Sequence, residues 1–172
     1  NYTNQNINLG FTHAQQVSLA YDWFFASSWR LKAEVYGQLL SNVPIKTDSN
    51  IVSILNVHEN WRIDYGGLSN EGRGRSYGVE LSVEKFFDQG YYGVLTATLS
   101  DSKFTGSDHV WRNTAFSYGQ IYKILLGKEF KIGKQRRNRF AMATNFLTYN
   151  GGYYSPIDSE ASRATGVTVY DF

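Results

Sequence analysis

Cysteine is missing altogether, proline occurs twice and methionine once. Charge of either sign barely prevails, with 17 Lys and Arg against 15 Asp and Glu for a net +2. Without cysteine the chain can hold no disulfide framework and no thiolate zinc site. A disordered chain would be poor in aromatics and far from neutral, and this one carries 4 Trp, 13 Tyr and 11 Phe. The charge is too small to announce a nucleic-acid binder, although the pI of about 8.7 is mildly basic. Mean hydropathy is −0.39 and no run of about 18 apolar residues occurs, so no helix here suits a bilayer. A transmembrane β-barrel needs only every second strand residue to be apolar and escapes that test. The length of 172 residues fits one domain. Residues 1–10 lack the basic start, apolar core and cleavage site of a signal peptide, so the numbering begins in a mature protein or inside a longer one.

What is present is period-2 alternation in segments of about ten residues. In 16–23 the apolar side is Val17, Leu19, Tyr21 and Trp23. Residues 24–28 read as a turn edged by aromatics. A second strand, 29 to about 40, sets Leu31, Ala33, Val35 and Leu39 against Arg30, Lys32, Glu34, Tyr36 and Gln38. In 41–74, Pro44 disfavours a central strand and Gly66, Gly67, Gly72 and Gly74 suggest turns, with a short strand near 51–57 or 62–68. Alternation returns at 77–87 with Val79, Leu81 and Val83 against Glu80, Ser82 and Glu84. Asp88-Gln89-Gly90 is a tight-turn signal, and 91–103 follows with Leu95 and Leu99 on one side. After a polar loop, 114–130 places Phe116, Tyr118, Tyr122, Ile124 and Leu126 on one side. Beyond a basic turn at 131–137, residues 138–148 offer Phe140, Met142 and Phe146. A last strand is expected at 167–172.

The expectation is therefore an all-β chain with six clear strands in three hairpins and one or two further strands. Short turns on one rim and long loops on the other are the build of an outer-membrane barrel. Strands beyond the usual 5–6 residues and aromatics gathered at strand ends favour that over a soluble sheet, for which alternation alone would serve equally well. The apolar residues named above, from Val17 to Phe146, would then face the membrane.

Several strings, in a consistent order, resemble the C-terminal barrel region of TonB-dependent outer-membrane receptors of the Bacteroidota type that carry a carboxypeptidase-regulatory-like domain. They include Leu31-Lys-Ala-Glu-Val-Tyr36 with Ser41-Asn-Val-Pro44, then Asn70-Glu-Gly-Arg-Gly-Arg75. Tyr77-Gly-Val-Glu-Leu-Ser82, Glu84-Lys-Phe-Phe87 and Gly90-Tyr-Tyr92 follow, then Asp101-Ser-Lys103 and Gly106-Ser-Asp108. Val110-Trp-Arg-Asn113, the 127–134 string and Tyr154-Ser-Pro-Ile-Asp158 complete the series. The resemblance implies six to eight long antiparallel strands of a barrel of about 22 strands in the bacterial outer membrane. Residues 1–172 would be a partial barrel domain, with the plug domain, the TonB box and the final strands outside it. Function would be uptake of a scarce nutrient, without enzymatic chemistry or cofactor. Implied partners are outer-membrane lipid, the rest of the barrel and plug, TonB through an N-terminal region, and surface lipoproteins or other outer-membrane subunits, with no nucleic acid. Three alternatives stay open: a closed eight-stranded barrel, a receptor-like barrel serving as structural subunit of a larger complex, and a soluble aromatic-rich β-sheet binding module.

Motifs for chemistry are sparse. His13, His58 and His109 are far apart, without metal-ligand spacing, and no nucleophile motif occurs. Gly72-Arg-Gly-Arg75 lacks the spacing of a phosphate loop and reads as a turn. The ligand-binding candidates are Asp108, His109, Trp111 and Arg112, a charged and aromatic loop whose plainer role is loop packing and interfacial anchoring. Carboxylates Asp101 and Asp108 flank that loop. Arg30, Lys32, Glu34, Glu80 and Glu84 are expected to pair across the polar face.

Overall fold

The computed structural model describes residues 6–49, 52–57, 66–153 and 156–170. It is all-β apart from one short helix. The strands are β1 His13–Ala26, β2 Trp29–Lys46, β3 Leu68–Asp88, β4 Tyr91–Thr105, β5 Trp111–Asn113, β6 Gln120–Ile132 and β7 Asn138–Tyr149. They form one antiparallel sheet in the order β1-β2-β3-β4-β6-β7, with β5 paired to β4. The sheet is open: β1 and β7 are its edges. Two short strands, β8 Ile157–Asp158 and β9 Val169–Tyr170, make a separate pair around the helix α1, Ser159–Thr165.

Register turns the sequence alternation into two continuous faces. One row runs Trp23, Leu31, Val83, Leu95, Ile124 and Phe146 across six strands. The row beside it on the opposite face runs Asp22, Lys32, Ser82, Thr96 and Lys123. A slip of one residue would exchange the faces, so this register gathers most of the apolar side chains on one face, with Val94, Ile121, Leu125 and Leu147 on the other. Two turns fix it at one rim. Ser27 and Ser28 join β1 to β2, while Gln89 and Gly90, with φ of 51° and 84°, close β3 onto β4 with the two left-handed residues that match strand twist.

Little of the sheet is covered. The buried apolar side chains are Val43, Ile45 and Phe104, all at the long-loop rim. There Gly72 and Gly74 leave space that neighbouring side chains occupy: a Cβ on Gly74 would meet Leu55 Cδ1 at 2.5 Å and Leu40 Cδ1 at 3.2 Å. Along the rest of the apolar face Leu19, Val35, Val79, Leu81, Leu95 and Leu99 stay exposed.

Six long strands in three hairpins match the expectation, and several boundaries need correction. Phe24, Phe25 and Ala26 belong to β1, with the irregularity between Trp23 and Ala26 absorbed in the strand. β2 runs on through Pro44 to Lys46, because register shifts beside Val43 and the left-handed Asn42 (φ 55°) provide the bulge in which a proline is tolerated. Gly72 and Gly74 are strand residues of β3. For the short strand expected near 51–57 or 62–68, the described residues 52–57 hold a 3-10 turn, Ile54–Asn56, beside one bridge at Ser53. Residues 58–65, with His58, lie outside the described set. β6 starts at Gln120, so Phe116 and Tyr118 precede the strand, exposed in the loop leading to it. Between β8 and β9 the tail forms α1, capped by Asp158 and ended by left-handed Gly166, an element the alternation does not announce. Of the last strand expected at 167–172, Val169–Tyr170 is strand, paired with β8 outside the main sheet, and residues 171–172 lie outside the described set.

Candidate functional site

On the polar face, β1, β2 and β3 bring their charges into one cluster. Arg30 Nε donates to Asp22 Oδ1 at 2.8 Å and its Nη1 lies 3.4 Å from Glu84 Oε2. Lys32 Nζ donates to Glu34 at 2.8 Å. Thr98 Oγ1 reaches Glu80 Oε2 at 3.4 Å. Of the expected pairs, Arg30–Glu84 forms across strands, while Lys32 turns along its own strand to Glu34; Asp22, which sequence reading left out of the pairing, is the strongest partner of Arg30. Only the hairpin register, which sets Asp22 opposite Lys32 and one row from Arg30, brings it there. These groups are a quarter to two-fifths exposed, so each pair orders this face of the sheet and contributes little energy.

Tyrosines reinforce that face by covering glycines. Tyr36 stands opposite Gly78, where an added Cβ would fall 2.6 Å from its hydroxyl. Tyr92 stands opposite Gly127 and its ring fills the space of the missing side chain. A large ring laid over a cross-strand glycine restores packing that glycine lacks.

The loop candidates lie at the other end of the sheet. Asp108 accepts from Val110 N at 3.1 Å and holds Arg112 in a two-pronged pair, with Nη1 at 2.8 Å and Nη2 at 2.6 Å. That pair, first through the Arg112 hydrogen bonds and then through the Val110 amide, keeps the Asp108 carboxyl down at about 2. The Arg112 guanidinium is pushed up by the same carboxylate. Both side chains are engaged in building the turn. His109 at its tip is left-handed, with φ of 59°.

Trp111 pairs with Thr105 across β4 and β5, and the Arg75 guanidinium lies over its ring at 4.5 Å. Arg73 N donates to Thr105 Oγ1 at 3.0 Å. Arg73, Thr105, His109 and Trp111 together line a cleft of about 210 Å³. The structure therefore brings His109 and Trp111 to one cleft, with Arg73 and Arg75 as partners that sequence reading had placed in a turn. Their signal was the alternation of Arg73, Arg75 and Tyr77, which continues the β3 pattern upstream. Asp101 and Asp108 each serve their own cation: Asp101 lies 3.5 Å from Lys103 and accepts from Tyr77 at 2.9 Å.

Comparison with protein-family models, curated proteins and solved structures returns no match. Function therefore has to be argued from the chemistry of the two faces. Cation, aromatic ring and hydroxyl in the cleft can hold an anionic or ring-bearing group at the surface. Among the described residues no group of three or more His, Cys, Asp and Glu side chains converges.

The face opposite the charge cluster has a different order. Across the apolar face, β3 reads Arg75, Tyr77, Val79, Leu81, Val83, Lys85, and β4 reads Lys103, Asp101, Leu99, Ala97, Leu95, Gly93, Tyr91. Charge ends at Asp101 on one side and resumes at Lys85 and, on β6, Lys128. From Tyr77, opposite Asp101, to Lys85 the strand advances about 26 Å at about 3.3 Å per residue.

Proposed function

We propose that this chain is a section of the wall of a β-barrel in a bacterial outer membrane, in a receptor of the TonB-dependent type that takes up a scarce nutrient. The observation that carries the membrane reading is the segregation of charge. Asp22, Arg30, Lys32, Glu34, Glu80, Glu84 and Lys123 sit on one face, while the other face is uncharged from above the Tyr77–Asp101 level to the Lys85 level. At a strand tilt of about 40° the roughly 26 Å between those levels projects to about 20 Å, most of the apolar band of about 25 Å in such barrels. Lipid is the solvent in which Leu81, at 46% exposure, and its neighbours are at home; in water so broad an uncovered apolar face is an association hazard.

The open edges fit the same reading. β1 and β7 are 14 and 12 residues long and exposed throughout, and long unprotected edges call for partner strands. Further strands of the barrel would close them. The charge cluster and the tyrosine-covered glycines would then line the lumen and face a plug. The Arg73–Trp111 cleft would lie at the loop rim, where nutrient or surface partners arrive. The TonB-dependent part of the proposal rests on the ordered strings from Leu31 to Asp158.

Heat-modifiable migration and detergent-dependent extraction of the natively expressed protein test the membrane reading; a native protein that stays monodisperse without detergent refutes it. A plug-type domain and TonB box in the encoded sequence ahead of Asn1 would support uptake. Their absence, together with stably co-purifying outer-membrane subunits, would point to a structural role.

A further inference from the structure

The apolar face is not uniform. Near the short-turn rim, Gly93 stands between Lys85 on β3 and Leu126 on β6, and its missing side chain leaves a notch. The resulting groove holds about 710 Å³ and its walls include Trp29, Val83, Tyr91, Leu95 and Met142. Leu126 leans over the floor: a Cβ on Gly93 would come within 2.8 Å of its Cδ2. The turn-side end of the groove is cationic. Lys128 Nζ donates to the Tyr91 hydroxyl at 2.7 Å and lies 4.5 Å and 4.7 Å from the Tyr91 and Phe130 ring centroids. Lys85 Nζ donates to Ser28 Oγ at 2.6 Å and shares its charge with Asp88 at 3.3 Å. Lys128 has no carboxylate within ion-pair distance among the described residues. Nor have Lys134, Arg136 and Arg137 in the adjoining turn, where the one ion pair is Glu129–Arg139 at 3.1 Å.

We infer that this groove holds one anionic phospholipid, its phosphate at Lys128 with Lys85 as the second donor, and an acyl chain over Gly93 toward Leu95. The inference rests on the membrane reading and adds a selective site to it. The groove is apolar along its length and positive at one end only, which complements a chain attached to a phosphate. Aromatic rings at Trp29 and Tyr91 suit the interfacial depth of the glycerol region. An uncharged or zwitterionic lipid would gain the groove and forgo the net attraction to unneutralised lysine.

The placement of Trp29 in the groove wall permits a direct test. The full protein is reconstituted in phosphatidylcholine bilayers containing a minority of phosphatidylglycerol with brominated acyl chains, and the Trp29 signal is isolated by difference against Trp29→Phe. Quenching of Trp29 by brominated phosphatidylglycerol should exceed that by the same fraction of brominated phosphatidylcholine by about fivefold in effective local concentration. Lys128→Gln should remove most of that preference, and Lys85→Gln less of it, with heat-modifiable migration confirming that each variant is folded. Equal quenching by the two lipids overturns the site and leaves the membrane wall standing. No quenching of Trp29 in fully brominated bilayers overturns both.

Discussion

Leu81→Arg separates lipid from water as the medium of the apolar face. Leu81 lies opposite Ala33 on β2 and Ala97 on β4, in a row far from either charged level, and is 46% exposed. In a water-exposed sheet, replacing a half-exposed leucine by arginine is an ordinary surface change, within about 0.5 kcal/mol. In a bilayer the guanidinium enters hydrocarbon near the midplane and costs about 2–4 kcal/mol, against about 0–1 near an interface. Leu39→Arg is the matched control, because Leu39 stands opposite Arg75 at a level that already carries a cation. The assay is urea unfolding of the full protein refolded into lipid vesicles. With a slope of about 2 kcal/mol per molar urea, Leu81→Arg should lower the midpoint by about 1–2 M and Leu39→Arg by less than about 0.5 M. Equal small effects at both positions would refute the lipid-facing assignment.

Gly127→Ala places a methyl group where the Tyr92 ring lies and should cost about 1–3 kcal/mol by overpacking; in Tyr92→Ala the same change should cost much less, a coupling that a double-mutant cycle in urea measures. Arg30→Ala removes the partner of Asp22 and Glu84, and since these groups are part-exposed the loss should be small, read as a urea midpoint that barely moves. Asp108 titrates near 2, below its ordinary 3.8, because Arg112 and the Val110 amide stabilise its charged form. A depressed carboxylate contributes stability that is complete above its unfolded pKa and lost as pH falls through the folded one. The 106–112 loop should therefore keep its conformation from neutral pH down to about 4 and loosen toward 2. Arg112→Gln should move the Asp108 titration, followed by carboxyl NMR, up toward the ordinary value.

How much of this could be read beforehand differs from element to element. The strands around 77–87 and 91–103 were legible because apolar and polar residues alternate without a break and Gln89-Gly90 supplies the turn. The faces were legible for the same reason: once register is continuous, Leu31, Val83 and Leu95 must share a side. Proline and glycine misled where tertiary context overrode local preference. Pro44 stays in β2 because a bulge frees it from the ladder, and Gly72 and Gly74 stay in β3 because Ile45, Leu40 and Leu55 fill their side-chain space. The start of β6 was misplaced because Phe116 and Tyr118 continue the alternation as loop residues. The α1 helix left local signs, Asp158 as cap and Gly166 as stop, that a search for period 2 passes over. Of the candidate site, the Asp108–Arg112 pair follows from four-residue spacing and a tight turn. The stacking of Arg75 on Trp111 spans 36 positions and depends on two registers at once, Arg75 with Lys103 and Thr105 with Trp111, so no local pattern contains it.

Nitroxide scanning of β3 tests the membrane wall most directly: residues 1–172 hold no cysteine to compete for the label, and any cysteine elsewhere in the full protein is first replaced by serine. Labels placed one at a time from 78 to 84 in the full protein in bilayers are read for collision with oxygen, which concentrates in lipid, and with a water-soluble nickel complex. Oxygen should dominate at Val79, Leu81 and Val83 and nickel at Gly78, Glu80, Ser82 and Glu84, an alternation with period 2. Nickel accessibility at Leu81 equal to that at Glu80 and Ser82 would contradict it.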